Sequence, residues 1–402
     1  MTTYDVGRIV NPAGTLVDQR ITVSGDRIVE VAPIPRSSRG LGIDPSLTAV
    51  PGFIDLHTHG GAGHDVMDGE SDDFAAVAAH HLRTGTTSFL GNTLTAPLGQ
   101  IETILDGVRN YLPVNKGAAE VGREAEILGI HLEGPWISHN KAGAQNSRYI
   151  RSPDSAAMEF VHKNSDVVRI VTFSYHHPNS PEFLRALLDA GVVPACGHDD
   201  TTDEQVLDAF SRGLSYITHL YSMSGSFTRV DGRKHLGSVE MALMTPGVSV
   251  EVIADGHHIT EYFWRFIRHN KDVRDIVIVS DSMRWAGLPA DPNEVITMGG
   301  VEVIVDDGVA WLADRSAYAG SVSSMHDMFR RLVREWGVPM EDAVRMTSQN
   351  QAGIMGIGDR LGSIEPGMQA DFLVLDSELE INEVIKAGVS TEGPGSGDAL
   401  RQ

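Results

Sequence analysis

Eight short apolar runs with strand character alternate with stretches of helical periodicity, and this alternation restricts the fold more than any single motif. The runs begin at Phe53 and recur at residues 85–90, 127–132, 167–175, 192–196, 216–220, 248–253 and 276–280. Between them lie helical patterns such as Phe74-Ala75-Ala76-Val77-Ala78-Ala79-His80-His81-Leu82 and Glu182-Phe183-Leu184-Arg185-Ala186-Leu187-Leu188. Parallel strands need long crossovers, and eight such units close into a ring, so the reading is a (β/α)8, TIM-like barrel. A doubly wound open sheet is the alternative. Five runs end in chemically capable residues: His57-Thr58-His59, His131-Leu132-Glu133-Gly134-Pro135, Gly197-His198, Thr218-His219-Leu220 and Ser280-Asp281-Ser282. They follow strands one, three, five, six and eight, and only a closed ring brings all those ends together.

Each segment has its own logic. His57 and His59 are two apart on a strand, so both imidazoles leave the same face, with Asp55 in the same parity. Residues 51–56 are too apolar for a surface strand, which argues against a pair of solvated histidines. Glu133 at a buried strand end needs a cation or a hydrogen-bonding partner. His131 shares its parity and reads as a packing or hydrogen-bonding residue. His198 and His219 suit neutral imidazole ligands of a borderline metal. Asp281, ending strand eight, is placed to accept a proton from an activated water and pass it to a leaving amine. Ala254-Asp255-Gly256-His257-His258 ends strand seven, and parity does not decide which histidine faces the mouth. His64, His80, His81, His139 and His162 read as solvated loop or helix residues, and His176 and His177 as structural. The glycines of Gly60-Gly61-Ala62-Gly63 match no phosphate-binding loop and read as tight turns.

The net charge of −22 over 402 residues argues against nucleic acid or an anionic membrane as partner, because phosphate surfaces select basic proteins. The one cysteine, Cys196, cannot form an intramolecular disulfide and reads as a small strand residue. No run approaches about 20 apolar residues, so no membrane span is expected. A cytoplasmic address is the default.

Residues 1–50 alternate in short pieces punctuated by Gly and Pro, and strands return near the C-terminus at Ala370-Asp371-Phe372-Leu373-Val374-Leu375-Asp376. The expected domains are residues 1–50 and 356–385 as two parts of one small β-sandwich, residues 51–355 as the barrel, and residues 386–402 as a flexible tail. Residues 292–321 form further short alternating pieces, followed by helices at about 325–336 and 340–347.

Taken together the segments resemble the N-acetylglucosamine-6-phosphate deacetylase family of the amidohydrolase superfamily. The resemblance rests on Pro51-Gly52-Phe53-Ile54-Asp55-Leu56-His57-Thr58-His59-Gly60, His131-Leu132-Glu133-Gly134-Pro135-Trp136, Gly197-His198, Thr218-His219-Leu220-Tyr221, Ala254-Asp255-Gly256-His257-His258 and Ser280-Asp281-Ser282-Met283. It also includes Ala319-Gly320-Ser321 and Gly362-Ser363-Ile364-Glu365-Pro366-Gly367, and covers about residues 1–380. The resemblance implies Glu133, His198 and His219 as principal metal ligands, His57 and His59 as a second-metal pair, and Asp281 as general acid and base. No lysine occurs in residues 167–175, where many superfamily members carry a bridging one, so Glu133 takes the bridging role. The same likeness places Ala144, Gln145, Ser222, Met223, His258, Tyr318, Ala319 and Gly320 against the substrate, and Arg233 on its phosphate across a homodimer interface, with Arg229 as the alternative. One or two divalent ions per chain are implied, zinc first among them.

The chain departs from the family at three places. Ser222-Met223-Ser224 stands where Asn-Ala-Met is usual, Gln145 where histidine is common, and Ser174-Tyr175-His176-His177-Pro178 where Ala-Pro-Glu is usual. The leading expectation is conversion of N-acetylglucosamine 6-phosphate to glucosamine 6-phosphate and acetate. The alternative is a deacylase of another N-acyl substrate: N-acetylgalactosamine 6-phosphate, an unphosphorylated N-acetyl sugar or an N-acyl amino acid. A non-catalytic scaffold ranks last, since such a protein is expected to lose ligands that this chain keeps.

Overall fold

A computed structural model describes residues 1–34, 44–291 and 293–392. Eight strands form one parallel sheet in chain order: Phe53–Thr58, Thr86–Thr93, Glu126–Glu133, Val168–Phe173, Val193–Cys196, Tyr216–Ile217, Ser249–Val252 and Ile276–Ile278. The ring closes at its C-terminal end. Thr58 bridges Ser282 in parallel, and Asp281 N donates to His57 O at 2.9 Å. The first two strands are buried along their whole length, as expected where helices cover one face and packed side chains the other. The crossover helices are Ser71–Arg83, Leu98–Glu120, Ser155–Asn164, Ser180–Asp189, Asp203–Ser211, Ser238–Met244 and Glu261–Asn270.

Both chain ends build one seven-stranded sheet beside the barrel, in the order Val389–Glu392, Ile381–Lys386, Phe372–Leu375, Thr48–Pro51, Thr2–Asn11, Gly14–Ser24, Arg27–Pro33. Ile9, Ile21, Ile28, Phe372 and Ile385 form part of its own core. The strand Val389–Glu392 lies inside the stretch read as a flexible tail. It pairs antiparallel with Ile381–Lys386, from Glu383 opposite Glu392 to Lys386 opposite Val389, so the tail reading is corrected up to residue 392. Residues 393–402 lie outside the described residues.

A four-stranded antiparallel sheet, Ile296–Met298, Val301–Asp306, Val309–Leu312 and Tyr318–Ser321, is inserted after the eighth barrel strand. It joins the mouth through a parallel bridge between Ser282 and Ser321, and packs Met298, Val303 and Ala319 against Leu94, Met283 and Trp285. Beyond it the chain continues as Met325–Arg330 and Met340–Val344, each running on into a wider π turn. Among the described residues no helix is long and apolar enough to cross a membrane.

Candidate metal centre and active site

Six side chains from the strand ends converge at the mouth. Glu133 Oε1 lies 2.9 Å from His198 Nε2 and 2.9 Å from His219 Nε2. Its Oε2 lies 3.3 Å from His59 Nε2 and 3.8 Å from His57 Nε2. Asp281 Oδ1 is 3.3 Å from His59 Nε2 and 3.6 Å from His57 Nε2. All six are buried. The backbone turns sharply to aim three of them: His198, His219 and Asp281 have φ of 46°, 20° and 46°. Left-handed backbone in a non-glycine residue is strained and tends to gather at functional sites. Gly134, just after Glu133, has φ 77°, and a Cβ there would lie 2.2 Å from Thr95 Oγ1. Only glycine lets the chain leave the third strand so tightly.

The donor set fits a divalent cation. His198 Nδ1 donates to the Lys141 carbonyl at 2.6 Å, so a neutral His198 presents a lone pair at Nε2. His57 Nδ1 donates to Glu251 Oε2 at 3.0 Å, and its Nε2 is buried without a hydrogen-bond partner. Lone pairs converging on carboxylate oxygens repel unless positive charge lies among them. Among the described residues, the groups with mutually close ligand atoms include His57, Glu133, His219 and His57, His59, Asp281, which share His57. Glu133 offers one oxygen to each side, so the geometry has room for a bridging carboxylate.

Without an ion, protons would supply that positive charge. Burial alone pushes the His57 and His59 imidazoles down. The carboxylates Glu251, Asp281 and Glu133 around His57, and Asp281 and Glu133 around His59, reverse this and hold them up at about 9 and about 10. Burial would raise the Glu133 carboxyl, but His198, His219 and His59 hold it well below the usual carboxylate range. Asp281 is likewise raised by burial and lowered overall, His59 giving the largest opposing contribution.

The cluster opens into a cavity of about 410 Å³. Of the residues expected against substrate, Ala144, Gln145, Ser222, Met223, His258, Tyr318 and Ala319 line it. Gly320 sits behind the wall: with φ 85°, a Cβ would lie 2.5 Å from Met283 Sδ and 3.0 Å from Asp281 O. Arg233 is not brought to the cavity. It is exposed with Arg229 on a hairpin, Thr228–Val230 paired with Arg233–His235, and no Lys or Arg among the described residues lines the cavity. Gln145 is tied to the cluster, its Nε2 donating to Glu133 Oε2 at 2.8 Å and its Oε1 accepting from Thr95 N at 2.7 Å.

Other residues escaped the sequence reading. Asp255 Oδ2 accepts from His258 Nδ1 at 2.7 Å, which turns Nε2 of His258 away from Asp255. Burial lowers the His258 pKa, but Asp255 outweighs it and the net shift is upward. The Asp-x-x-His spacing carried that signal. Met298, Trp311, Ser316 and Ala317 reach the cavity from the inserted sheet, and nothing local in residues 292–321 announced this. His80 and His81, read as solvated, are buried; His81 Nε2 meets Thr58 Oγ1 at 3.0 Å. Burial, the largest cause, pushes their pKa values down to about 4 and about 3. His131 is a structural residue as read, with Nδ1 at 3.0 Å from Leu56 O and Nε2 at 2.7 Å from Thr172 Oγ1.

Comparison with known proteins agrees with this geometry. Residues 48–391 match the amidohydrolase family. The chain is 32% identical to N-acetylglucosamine-6-phosphate deacetylase of Bacillus subtilis (strain 168), over 83% of this chain and 81% of that protein. It is 30% identical to N-acetylgalactosamine-6-phosphate deacetylase of Escherichia coli O157:H7, over 94% of this chain and 96% of that protein. A solved N-acetyl-D-glucosamine-6-phosphate deacetylase variant from Mycobacterium smegmatis, in complex with N-acetyl-D-glucosamine-6-phosphate, superposes with a TM-score of 0.86 at 27% identity, covering 97% of this chain and 98% of that one. The chain belongs to the amidohydrolase family and, within it, to the N-acetylglucosamine-6-phosphate deacetylase family; it is a metal-dependent hydrolase.

Proposed function

We propose that this chain hydrolyses the acetamide of N-acetylglucosamine 6-phosphate, giving glucosamine 6-phosphate and acetate. The observation that carries the reading is the buried cluster of His57, His59, Glu133, His198, His219 and Asp281 beside a cavity of about 410 Å³. The five residues other than Asp281 would hold one or two divalent ions, zinc first, because imidazole and carboxylate donors suit a borderline cation. When bound, the ion supplies Lewis acidity to the amide carbonyl and lowers the pKa of water. Asp281 takes a proton from the attacking water on its carboxylate and delivers it to the leaving amine as the C–N bond breaks. His258, anchored through Nδ1 by Asp255, offers its Nε2 edge to a substrate oxygen. Gln145 steadies Glu133 from the opposite side to His198.

A dianionic phosphate needs a cation, and among the described residues the cavity wall has no Lys or Arg. An exposed aromatic face lies close by. Tyr262, Phe263 and Phe266 on helix Glu261–Asn270 are 80%, 46% and 50% exposed, and Tyr221 of the cavity wall packs edge-on against Phe263 at 4.9 Å. The Arg229/Arg233 hairpin also exposes Phe227 and Val230. A second copy covering this face is the homodimer the reading needs, with Arg233 as a bidentate phosphate partner in its neighbour's cavity.

Acetate release from N-acetylglucosamine and N-acetylgalactosamine, each with and without 6-phosphate, tests the reading. The expected order puts N-acetylglucosamine 6-phosphate first, and Arg233→Ala should lower kcat/KM on the phosphorylated sugars alone. Indifference of the wild type to the phosphate would favour the second reading, an unphosphorylated N-acyl substrate, which the same cation-free wall supports.

Metal loading should release protons. With His57 and His59 held at about 9 and about 10, both are protonated near pH 7.5 in the ion-free protein, and an imidazole must give up its Nε2 proton to bind an ion. Calorimetry in buffers of different ionisation enthalpy should show net proton release, approaching two per chain. Apparent affinity should rise with pH and level off above about 9 to 10. The ion-free fold draws stability from the same raised pKa values below the ordinary histidine range and loses it as pH climbs through them. Loading without proton release would contradict the assignment of these two ligands.

A further inference from the structure

We propose that Glu251, which does not line the cavity, is a positioning residue that sets the metal-facing geometry of two ligands at once. It sits on the seventh barrel strand, Ser249–Val252, and is 0% exposed. One oxygen does both jobs: Oε2 accepts the His57 Nδ1 proton at 3.0 Å and the His219 backbone N–H at 2.9 Å. The first contact fixes the tautomer of the neutral His57 ring, so that the nitrogen free to bind an ion is Nε2, on the side of Glu133 and Asp281. The second holds the backbone of His219 at its φ of 20°, a conformation a histidine does not adopt without support. Strands one and six are thus registered to each other through a carboxylate on strand seven.

Fully burying a carboxylate is costly, and this part of the barrel already contains Asp55, Glu133 and Asp281. A neutral amide of the same shape would accept both hydrogen bonds. What the charge adds is basicity at the far end of His57: a carboxylate on Nδ1–H makes Nε2 a stronger donor to a cation. A purely structural role gives no reason for charge over shape, and that difference makes the proposal testable.

The inference rests on the metal-centre reading but not on the identity of the substrate, and its test uses no sugar. Chelator competition with Zn²⁺ should show Glu251→Gln binding about 10–100-fold more weakly than wild type, with near-UV circular dichroism of the ion-free protein unchanged. Unaltered Zn²⁺ affinity in a folded Glu251→Gln protein would overturn the proposal. Should that variant not fold, ¹⁵N-histidine spectra of the Zn²⁺-loaded wild type decide. A protonated, hydrogen-bonded His57 Nδ1 with a coordinated Nε2 supports the proposal, and coordination through Nδ1 refutes it. Failure of the deacetylase reading would appear only in the acetate assays, and failure of this inference only in Zn²⁺ binding and the spectra.

Discussion

Asp281→Asn should retain its metal and fold while losing about 10²–10⁴-fold in kcat, the usual worth of a positioned general acid–base. The amide has the same shape as the carboxylate and, like it, presents an oxygen 3.3 Å from His59 Nε2, so the mouth should not rearrange. It cannot take a proton from water at neutral pH or give one to the amine. The histidines that lower the Asp281 carboxyl keep it ionised near pH 7 and ready to accept. The loss should therefore fall on kcat, with KM little changed and metal content by elemental analysis equal to wild type. Near-normal turnover with metal retained would place the proton shuttle elsewhere. Asp55→Asn is a useful contrast. Asp55 is raised to about 6 by burial and bonds Ser280 Oγ rather than the cavity, so it should act on stability before turnover.

The barrel was legible because its strands are buried on both faces, and such strands write continuous apolar runs into the sequence. Their C-terminal ends were legible because polar residues there interrupt those runs abruptly. His57, His59, Glu133, His198, His219 and Asp281 could thus be grouped before any distance was known. Residues whose meaning is tertiary were not legible. Glu251 sits in Ser249-Val250-Glu251-Val252, inside the run 248–253 read as a barrel strand, but a lone glutamate in mid-strand does not say which face it takes. Here it points into the barrel, against His57 and His219. His80 and His81 are adjacent on a helix and so face different directions. One meets Thr58, the other packs where a Cβ on Gly61 or Gly287 would strike it, and two contacts from different elements leave no local pattern. The inserted sheet was visible as strands, but its closure over the mouth depends on Met298 and Ala319 finding Leu94 and Met283, far apart in sequence.

The missed C-terminal strand leads to the largest expected stability effect. Lys386, placed at the edge of the assumed tail, has a side chain only 1% exposed, and its Nζ lies 2.6 Å from Asp371 Oδ2, itself 2% exposed. Asp371 also accepts from Ala387 N at 2.7 Å and Gln369 Nε2 at 3.1 Å, so its charge is well satisfied. Among the described residues Lys386 has one other carboxylate near, Glu126 at 3.6 Å, which Arg360 already holds at 2.6 Å. Asp371→Ala would leave an ammonium buried at the junction of the β domain and the third barrel strand, facing only Glu126 at 3.6 Å, a carboxylate already engaged by Arg360. Stranding one partner of a buried pair costs about 3–5 kcal/mol, whereas replacing both with apolar residues of similar volume is often close to neutral. Urea unfolding of the metal-loaded protein should therefore show a large loss for Asp371→Ala. The double variant Asp371→Leu/Lys386→Met should be much closer to wild type, since it removes both charges from the same site. Neither residue lines the cavity, so metal content and kcat/KM below the unfolding range should be unchanged in both. A loss under about 1 kcal/mol in Asp371→Ala would mean that Glu126 alone balances Lys386 or that water reaches it, and that the last strands are looser than their pairing implies.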